Sequence, residues 1–374
     1  MLNLKYPYTL NDVYESAKEK RFTVISTFSG GGGSSIGYKL AGGDVLLANE
    51  FVDVAAETYK LNFPSTPVLI GDIRELTGKD FLDASNLKSG ELDVLDGSPP
   101  CSAFSVSGKR DKGWNKEKKY STDKTVKNIE DLFLDFIRIT NDIKPKIVIA
   151  ENVAGLQQGE ARKKLNLFTN EFEKIGYVVN YETIDAQHFG VPQTRARTII
   201  IGVRKDIYDI SGNIFPNNFF PQKLNTIVTV REAFADLYQT EEEIKFAKNI
   251  VKTDSVINKV INSYPVENNT NRLMDATYAC PKLTNNGKSF FSMRKLSWNL
   301  PCPCLTATVT LSGNIHPSEN RKLTTKESYR IMCLPDDYKN TGTYVQQLER
   351  VGRMHSPFPL AHVSDHIVRT YLGK

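Results

Sequence analysis

The sequence predicts an α/β protein: a mostly parallel sheet covered by helices on both faces, with an antiparallel hairpin at one edge and a smaller irregular module beside it. Three observations carry this. Short apolar runs alternate with amphipathic stretches over the first two-thirds of the chain, glycine- or proline-rich breaks follow several of those runs, and after about Asn217 the periodicity fades into asparagine, threonine and serine. Strands that alternate with helices imply parallel pairing and a Rossmann-like sheet, because parallel neighbours need a long crossover between them.

In chain order, residues 22–28 (FTVISTF) read as a buried strand, broken by the glycines at 30–33, and residues 34–40 restart as a helix. Residues 45–48 (VLLA) form a second strand, 54–61 a helix, 68–70 a third strand and 92–95 (LDVL) a fourth. Helical apolar spacing at 132–143 leads into a fifth strand at 146–150 (KIVIA), and 177–184 and 198–203 (TIIIGV) are further strands. No helix fits between the last two, which predicts the edge hairpin. Residues 323–332 are helical, with Thr324 and Glu327 at capping-box spacing, and 359–371 form an amphipathic helix. A chain of 374 residues is long enough for two domains at roughly 150 residues each. The expected division is 1–221 with 323–374, and 222–322.

Hydrophobic residues make up 40% and charged residues 24%, which excludes wholesale disorder. No apolar run reaches the ~18 residues of a membrane span, and the first 21 residues lack the apolar stretch of a secretory signal. Five cysteines (Cys101, Cys280, Cys302, Cys304 and Cys333) show no pairing pattern, so free thiols and a cytoplasmic location are expected. The net charge of +5 permits a polyanionic partner without demanding one.

Phe28-Ser29-Gly30-Gly31-Gly32-Gly33 sits between a strand and a helix, where backbone N–H groups and a helix N-terminus can meet a ligand. Glu50 follows the second strand, where an acid can accept from ribose hydroxyls, and Asp72 follows the third. Ser35 stands where G-x-G-x-x-G needs its third glycine, so a nucleoside cofactor fits better than a dinucleotide. Taken alone, these residues fit a plain tight turn with surface acids equally well.

Asp96-Gly97-Ser98-Pro99-Pro100-Cys101 follows the fourth strand, at the sheet edge where open α/β folds bind ligands. A thiol held there is a candidate nucleophile, although a lone cysteine is more often structural. Glu151 and Asn152 come after the KIVIA strand, and Gln193-Thr194-Arg195-Ala196-Arg197 precedes another. Thiol, carboxylate and two arginines converging on one sheet edge point to an enzymatic site.

With these residues in place, the sequence closely resembles the DNA (cytosine-5) methyltransferase family of bacterial or phage type. The resemblance rests on Phe28-Ser29-Gly30-Gly31-Gly32, Pro99-Pro100-Cys101 with Ala103-Phe104-Ser105, Glu151-Asn152-Val153, Gln193-Thr194-Arg195-Ala196-Arg197, and Arg321-Lys322-Leu323-Thr324 with Glu327, Arg330 and Pro335-Asp336-Asp337-Tyr338, in that order. It implies a class I methyltransferase fold and methyl transfer from S-adenosyl-L-methionine to carbon 5 of a flipped-out cytosine. The thiol of Cys101 would attack carbon 6. Glu151, in protonated form, would bond ring nitrogen 3, Arg197 the base carbonyl, and Arg195 a flanking phosphate or the glutamate.

The resemblance also implies a cofactor site. Phe28 and Phe51 would contact the adenine, Glu50 the ribose, and Asp72 and Ile73 the adenine edge. The backbone at Gly30 and Gly32 would meet the methionine part, with Pro100 and Leu132 near the sulfonium. Residues 107–125, rich in lysine, would form a mobile lid over the flipped base. Residues 222–322 would read the DNA site, with Arg272, Asn285, Asn286, Lys288, Arg294 and Lys295 as candidate contacts. Double-stranded DNA is the implied partner, with room for a cognate restriction endonuclease. A monomer associated with the nucleoid is expected, with no membrane contact.

Two features depart from the pattern. The family's late Gly-Asn-x-Val-Pro block is here Val351-Gly352-Arg353-Met354-His355-Ser356-Pro357, and four consecutive glycines exceed what the turn requires. Cys302-Pro303-Cys304 without a second pair is a weak zinc signal, and His316, His355, His362 and His366 have no metal-like grouping, so no metal is expected. An RNA methyltransferase, a catalytically silent DNA-binding module and a nicotinamide oxidoreductase are the competing readings. The module at 222–322 favours DNA, the intact Cys101, Glu151, Arg195 and Arg197 favour catalysis, and the incomplete glycine fingerprint disfavours the oxidoreductase.

Overall fold

The structure is a computed structural model. It describes residues 2–100, 118–119, 125–126, 132–211, 218–251, 255–266, 274–275, 293–307 and 313–374. Seven strands form the main sheet: β1 (Phe22–Thr27), β2 (Gly43–Glu50), β3 (Val68–Ile70), β4 (Val94–Gly97), β5 (Ile147–Val153), β6 (Tyr177–Asp185) and β7 (Ala196–Arg204). Their spatial order is β3-β2-β1-β4-β5-β7-β6. The first five run parallel, and β7 is antiparallel to both β5 and β6, as the missing helix between the last two strands predicts.

Alternate residues of the central strands serve two cores, as the two-residue period of a strand requires. Val24 of β1 and Ile147 and Ile149 of β5 face one core, with Tyr38, Leu360, Val363 and Ile367. Ile25, Val148 and Ala150 face the other, with Phe81, Phe136 and Phe172. The first core lies under α2 (Gly33–Leu40) and the long C-terminal helix α9 (Pro357–Leu372); the second lies under α4 (Gly78–Ser85), α5 (Leu132–Ile143) and α6 (Ala161–Lys174). Strands buried on both faces read as near-continuous apolar runs, which is why they are legible in the sequence.

Several boundaries and elements differ from expectation. Glu151 and Asn152 lie within β5 rather than after it, because Ile199 and Thr198 of β7 pair with them. Helices α1 (Leu10–Ala17), α4, α6 and α8 (Tyr344–Arg353) were not anticipated, and each buries only a few apolar side chains on a charged surface. The helix expected near 323–332 is α7 (Thr325–Met332), capped by Thr324 and Glu327 as predicted. In the region that begins after residue 222, Met274–Asp275, Met293–Lys295 and Gly313–Ile315 make a small three-stranded sheet, and Val260, Ile261 and Tyr264 pack with Met293 and Ile315. Cys302–Pro303 pairs instead with Gln193–Thr194, so this segment belongs beside the main sheet despite its irregular sequence.

Asp93, just before β4, is 2% exposed. It accepts from Lys146 Nζ at 2.7 Å, Lys374 Nζ at 2.6 Å and the Thr23 amide at 3.0 Å. Burial pushes the carboxyl up, but the two ammonium groups and the amide outweigh it and hold the carboxyl below its ordinary value. A depressed carboxyl stabilises the fold above its unfolded value of about 4, and that contribution is lost as pH falls through the folded value. Asp93→Asn is therefore expected to cost about 1–3 kcal/mol at pH 7 and progressively less in acid. Urea unfolding of both proteins at neutral and acid pH measures this.

Candidate active site

A cavity of about 500 Å³ opens at the carboxyl ends of β1, β2, β4 and β5, the edge where open α/β sheets place their ligands. Phe28, Gly30, Glu50, Phe51, Asp72 and Ile73 line one part of it, and Pro100, Leu132, Glu151, Arg195 and Arg197 line the rest. Every expected site residue is therefore at the wall except two. Gly32 is not, and Cys101 lies outside the described residues, as do Ala103-Phe104-Ser105 and nearly all of 107–125.

The four glycines are used in two ways. Gly30 (φ +53°) and Gly32 (φ +94°) occupy the left-handed region that favours glycine. A Cβ on Gly30 would enter open space, whereas one on Gly32 would lie 2.4 Å from the Phe63 ring, so Gly32 faces the packed helix α3 (Asp53–Asn62) and its end. Gly31 and Gly33 permit close approach. A Cβ at 31 would meet Tyr338 Oη at 2.5 Å, and at 33 the His355 carbonyl oxygen at 2.2 Å. The turn thus needs all four, two for its shape and two for the C-terminal segment pressed against it.

Glu50, 7% exposed, closes β2. Its Oε1 accepts from the amides of Phe51 and Val52 at 2.9 and 2.7 Å, and its Oε2 from Gly30 at 2.7 Å. Burial pushes this carboxyl up, against the three amides. A carboxylate has about four acceptor positions, so Oε2 retains capacity toward the cavity. Asp72 is clamped by Arg74, whose amide and Nε donate at 3.0 and 2.9 Å. Burial raises Asp72, but the arginine prevails and holds it low.

At the other end, Glu151 Oε1 forms an ion pair with Arg197, Nε lying 2.8 Å away. Asn152 donates from Nδ2 to the Pro99 carbonyl at 3.2 Å, and Ser98 Oγ donates to the Phe28 carbonyl at 3.3 Å, so the proline loop is tied to both β5 and the glycine turn. Arg195 does not reach outward. It is 3% exposed and donates to the carbonyls of Leu305, Gly352 and Met354 at 3.0, 3.0 and 2.8 Å, with Cys304 Sγ at 3.4 Å. Burial pushes its guanidinium down to about 10. The expected phosphate contact is corrected accordingly: Arg195 frames the cavity from within.

Other expectations change too. Lys295 is fully buried, donating to Asn320 Oδ1 at 2.7 Å, which removes it from the candidate DNA contacts. Arg272, Asn285, Asn286 and Lys288 lie outside the described residues. Cys302 is buried and accepts from Asn314 Nδ2 at 3.0 Å, while Cys304 sits beside Arg195; burial raises the Cys304 thiol but the two arginines lower it further. Among the described residues no three His, Cys, Asp or Glu side chains converge as metal ligands, and no helix is long and apolar enough to cross a membrane.

Three residues at or near the site stand in motifs quoted from the sequence but had no role assigned there. Gly352 approaches Thr306 so closely that a Cβ would lie 2.5 Å from its carbonyl carbon. His355 lines the cavity next to Glu151. Asp96, on β4, is buried and accepts from Ser26 Oγ at 2.7 Å and Tyr38 Oη at 3.0 Å.

A parallel five-strand core with a reversed strand inserted at one edge, and a ligand cavity at its carboxyl end, defines a class I methyltransferase fold. The model of the C-5 cytosine-specific DNA methylase family matches residues 22–357. The chain belongs to that family. It is 29% identical over 346 residues to the type II methyltransferase M.PspPI of Psychrobacter sp., covering 89% of this chain and 76% of that one. It is 27% identical over 356 residues to M1.HphI of Haemophilus parahaemolyticus, covering 93% and 87%. In fold it is similar to the Dnmt2 methyltransferase of S. pombe, with a TM-score of 0.61 at 17% identity over 93% of this chain and 98% of that one.

Burial raises the Asp96 carboxyl to about 6, against the hydroxyls of Ser26, Ser34 and Tyr38. A raised carboxyl makes folding less favourable as pH climbs from the unfolded value to the folded one. Relative to Asp96→Asn, the wild type is expected to lose on the order of 3 kcal/mol between pH 4 and pH 7, about two units at 1.36 kcal/mol each. Denaturant midpoints of both proteins across that range measure it.

Proposed function

We propose that this chain transfers a methyl group from S-adenosylmethionine to carbon 5 of a cytosine turned out of duplex DNA, through a transient bond between Cys101 and carbon 6. One observation carries the reading: the Glu151–Arg197 pair and the pinned Pro99-Pro100 loop share a single cavity with the glycine turn and Glu50.

The residues present suit the cofactor. Glu50 has acceptor capacity for ribose hydroxyls, Phe28, Phe51 and Ile73 offer apolar surface for a base, and Asp72 an acceptor beside it. When bound, S-adenosylmethionine supplies an electrophilic methyl group to carbon 5. The chain's residues make that carbon nucleophilic. Cys101 adds to carbon 6, and the displaced electron pair flows toward ring nitrogen 3, where Glu151 supplies a proton. Arg197 holds the base carbonyl oxygen. Asn152 keeps the proline loop, and with it the start of the cysteine loop, at the sheet edge. Loss of the carbon 5 proton to solvent, return of the nitrogen 3 proton to Glu151 and rupture of the sulfur–carbon 6 bond regenerate the thiolate, the carboxylic acid and the aromatic ring.

Residues 222–322 are proposed as the part that selects the DNA sequence, with 1–221 and 323–374 as the catalytic part. Type II relatives support a role in restriction-modification, beside an endonuclease of matching specificity. The net charge of +5 suits contact with phosphates.

Bisulfite sequencing of DNA from cells expressing the protein tests activity and target together; unmodified cytosines throughout would reject the reading. Cys101→Ser is expected to abolish turnover while keeping cofactor affinity, and wild type is expected to form a denaturation-resistant adduct with 5-fluorocytosine DNA, since fluorine does not leave as a proton. Glu151→Gln is expected to slow methyl transfer by about 10²–10⁴-fold, measured with labelled cofactor.

A further inference from the structure

The proposed chemistry leaves His355, a titratable residue of the cavity, without a task. The His355 side chain is 8% exposed and lines the same cavity as Glu151. Among the described residues neither Nδ1 nor Nε2 makes a hydrogen bond of ordinary geometry, although the Ser356 backbone acts on the ring. Two unsatisfied ring nitrogens are costly to bury, which is not what a space-filling position selects.

The backbone that delivers this ring is locked. The His355 carbonyl packs on Gly33, the Met354 carbonyl accepts from Arg195 at 2.8 Å, and Ser356 Oγ donates to the Met332 carbonyl at 2.9 Å. The imidazole is thereby set with Nε2 3.6 Å from Glu151 Oε1, the oxygen that Arg197 Nε already holds at 2.8 Å. The charged groups facing the ring are Glu151 on β5 and Arg195 and Arg197 at the start of β7. Burial and the two guanidinium groups push the imidazole below its ordinary value, against Glu151. A neutral imidazole carries one N–H and can donate from Nε2.

We propose that His355 is a positioning residue for Glu151: when Arg197 turns from Glu151 Oε1 to the carbonyl oxygen of an entering pyrimidine, the His355 Nε2–H takes over that oxygen. This rests on the proposed function above. Turning the Arg197 guanidinium toward a base carbonyl oxygen draws Nε away from Oε1, and a carboxyl oxygen left bare in an enclosed cavity is disfavoured. A shift of about 0.7 Å brings 3.6 Å to ordinary hydrogen-bond length. With Oε1 held, Oε2 is the oxygen left to face ring nitrogen 3. No bond is made or broken at His355, and its proton stays on the ring.

The test compares wild type, His355→Val and His355→Gln in single-turnover methylation of cytosine-containing duplex DNA, with calorimetry of S-adenosylhomocysteine binding. His355→Val is expected to slow the methyl-transfer step by about 10–100-fold, the scale of a misplaced catalytic group, and to displace the acid limb of the pH–rate profile. DNA KM and S-adenosylhomocysteine affinity should stay within about twofold. His355→Gln, which keeps an N–H donor, should recover most of the rate. Wild-type rate in His355→Val, no recovery in His355→Gln, or affinity falling in step with rate would each overturn the proposal. Failure of the functional reading looks different: wild type itself would transfer no methyl group, and both would fall.

Discussion

The site depends on one buried cation. The Arg195 guanidinium bonds carbonyls of Leu305, Gly352 and Met354, segments more than a hundred residues away in sequence. A desolvated charge is costly unless its donors are satisfied, so these segments must close around it, and in closing they form the wall opposite the sheet. Gln193 repeats the device two residues earlier, accepting from the Leu305 amide at 2.8 Å and donating to the Ile331 carbonyl at 3.3 Å. Of the two arginines in this stretch, Arg197 pairs with Glu151 at the cavity wall and Arg195 holds the frame.

Two aspartates, one just before β4 and one within it, show how partners decide the behaviour of a buried acid. Asp93 meets two ammonium groups and is held low; Asp96 meets only hydroxyls and the field of Glu151 and is pushed up. Both are nearly inaccessible to solvent, Asp96 lying the deeper. A full positive charge comes with Asp93 alone, which local sequence does not disclose, since Lys374 reaches Asp93 from the far end of the chain.

The parallel strands were legible because burial on both faces leaves an apolar run, and the strand-end acids Glu50 and Asp72 were legible because that geometry assigns them their place. Helices α6 and α8 were obscured by charge: α6 buries Ala161, Leu165, Phe168 and Phe172 among lysines and glutamates. Gly32 and Gly30 look identical in sequence, and the Phe63 and Tyr59 rings against Gly32 separate their surroundings. Lys295 read as a surface cation because nothing local announces Asn320 as its buried partner. His355 lies in the atypical late block, which in sequence says nothing of Glu151; their nearness arises from the return of the chain against the glycine turn.

That return has an evolutionary corollary. Gly31 and Gly33 touch Tyr338, Met354 and His355 with no space for even one added carbon. The two ends of the chain therefore cannot diversify independently. A larger residue in the turn becomes tolerable only together with a smaller or displaced one in the late block, so substitutions harmless as a pair would be damaging one at a time. Homologues that have lost a glycine here should carry their compensation some three hundred positions downstream.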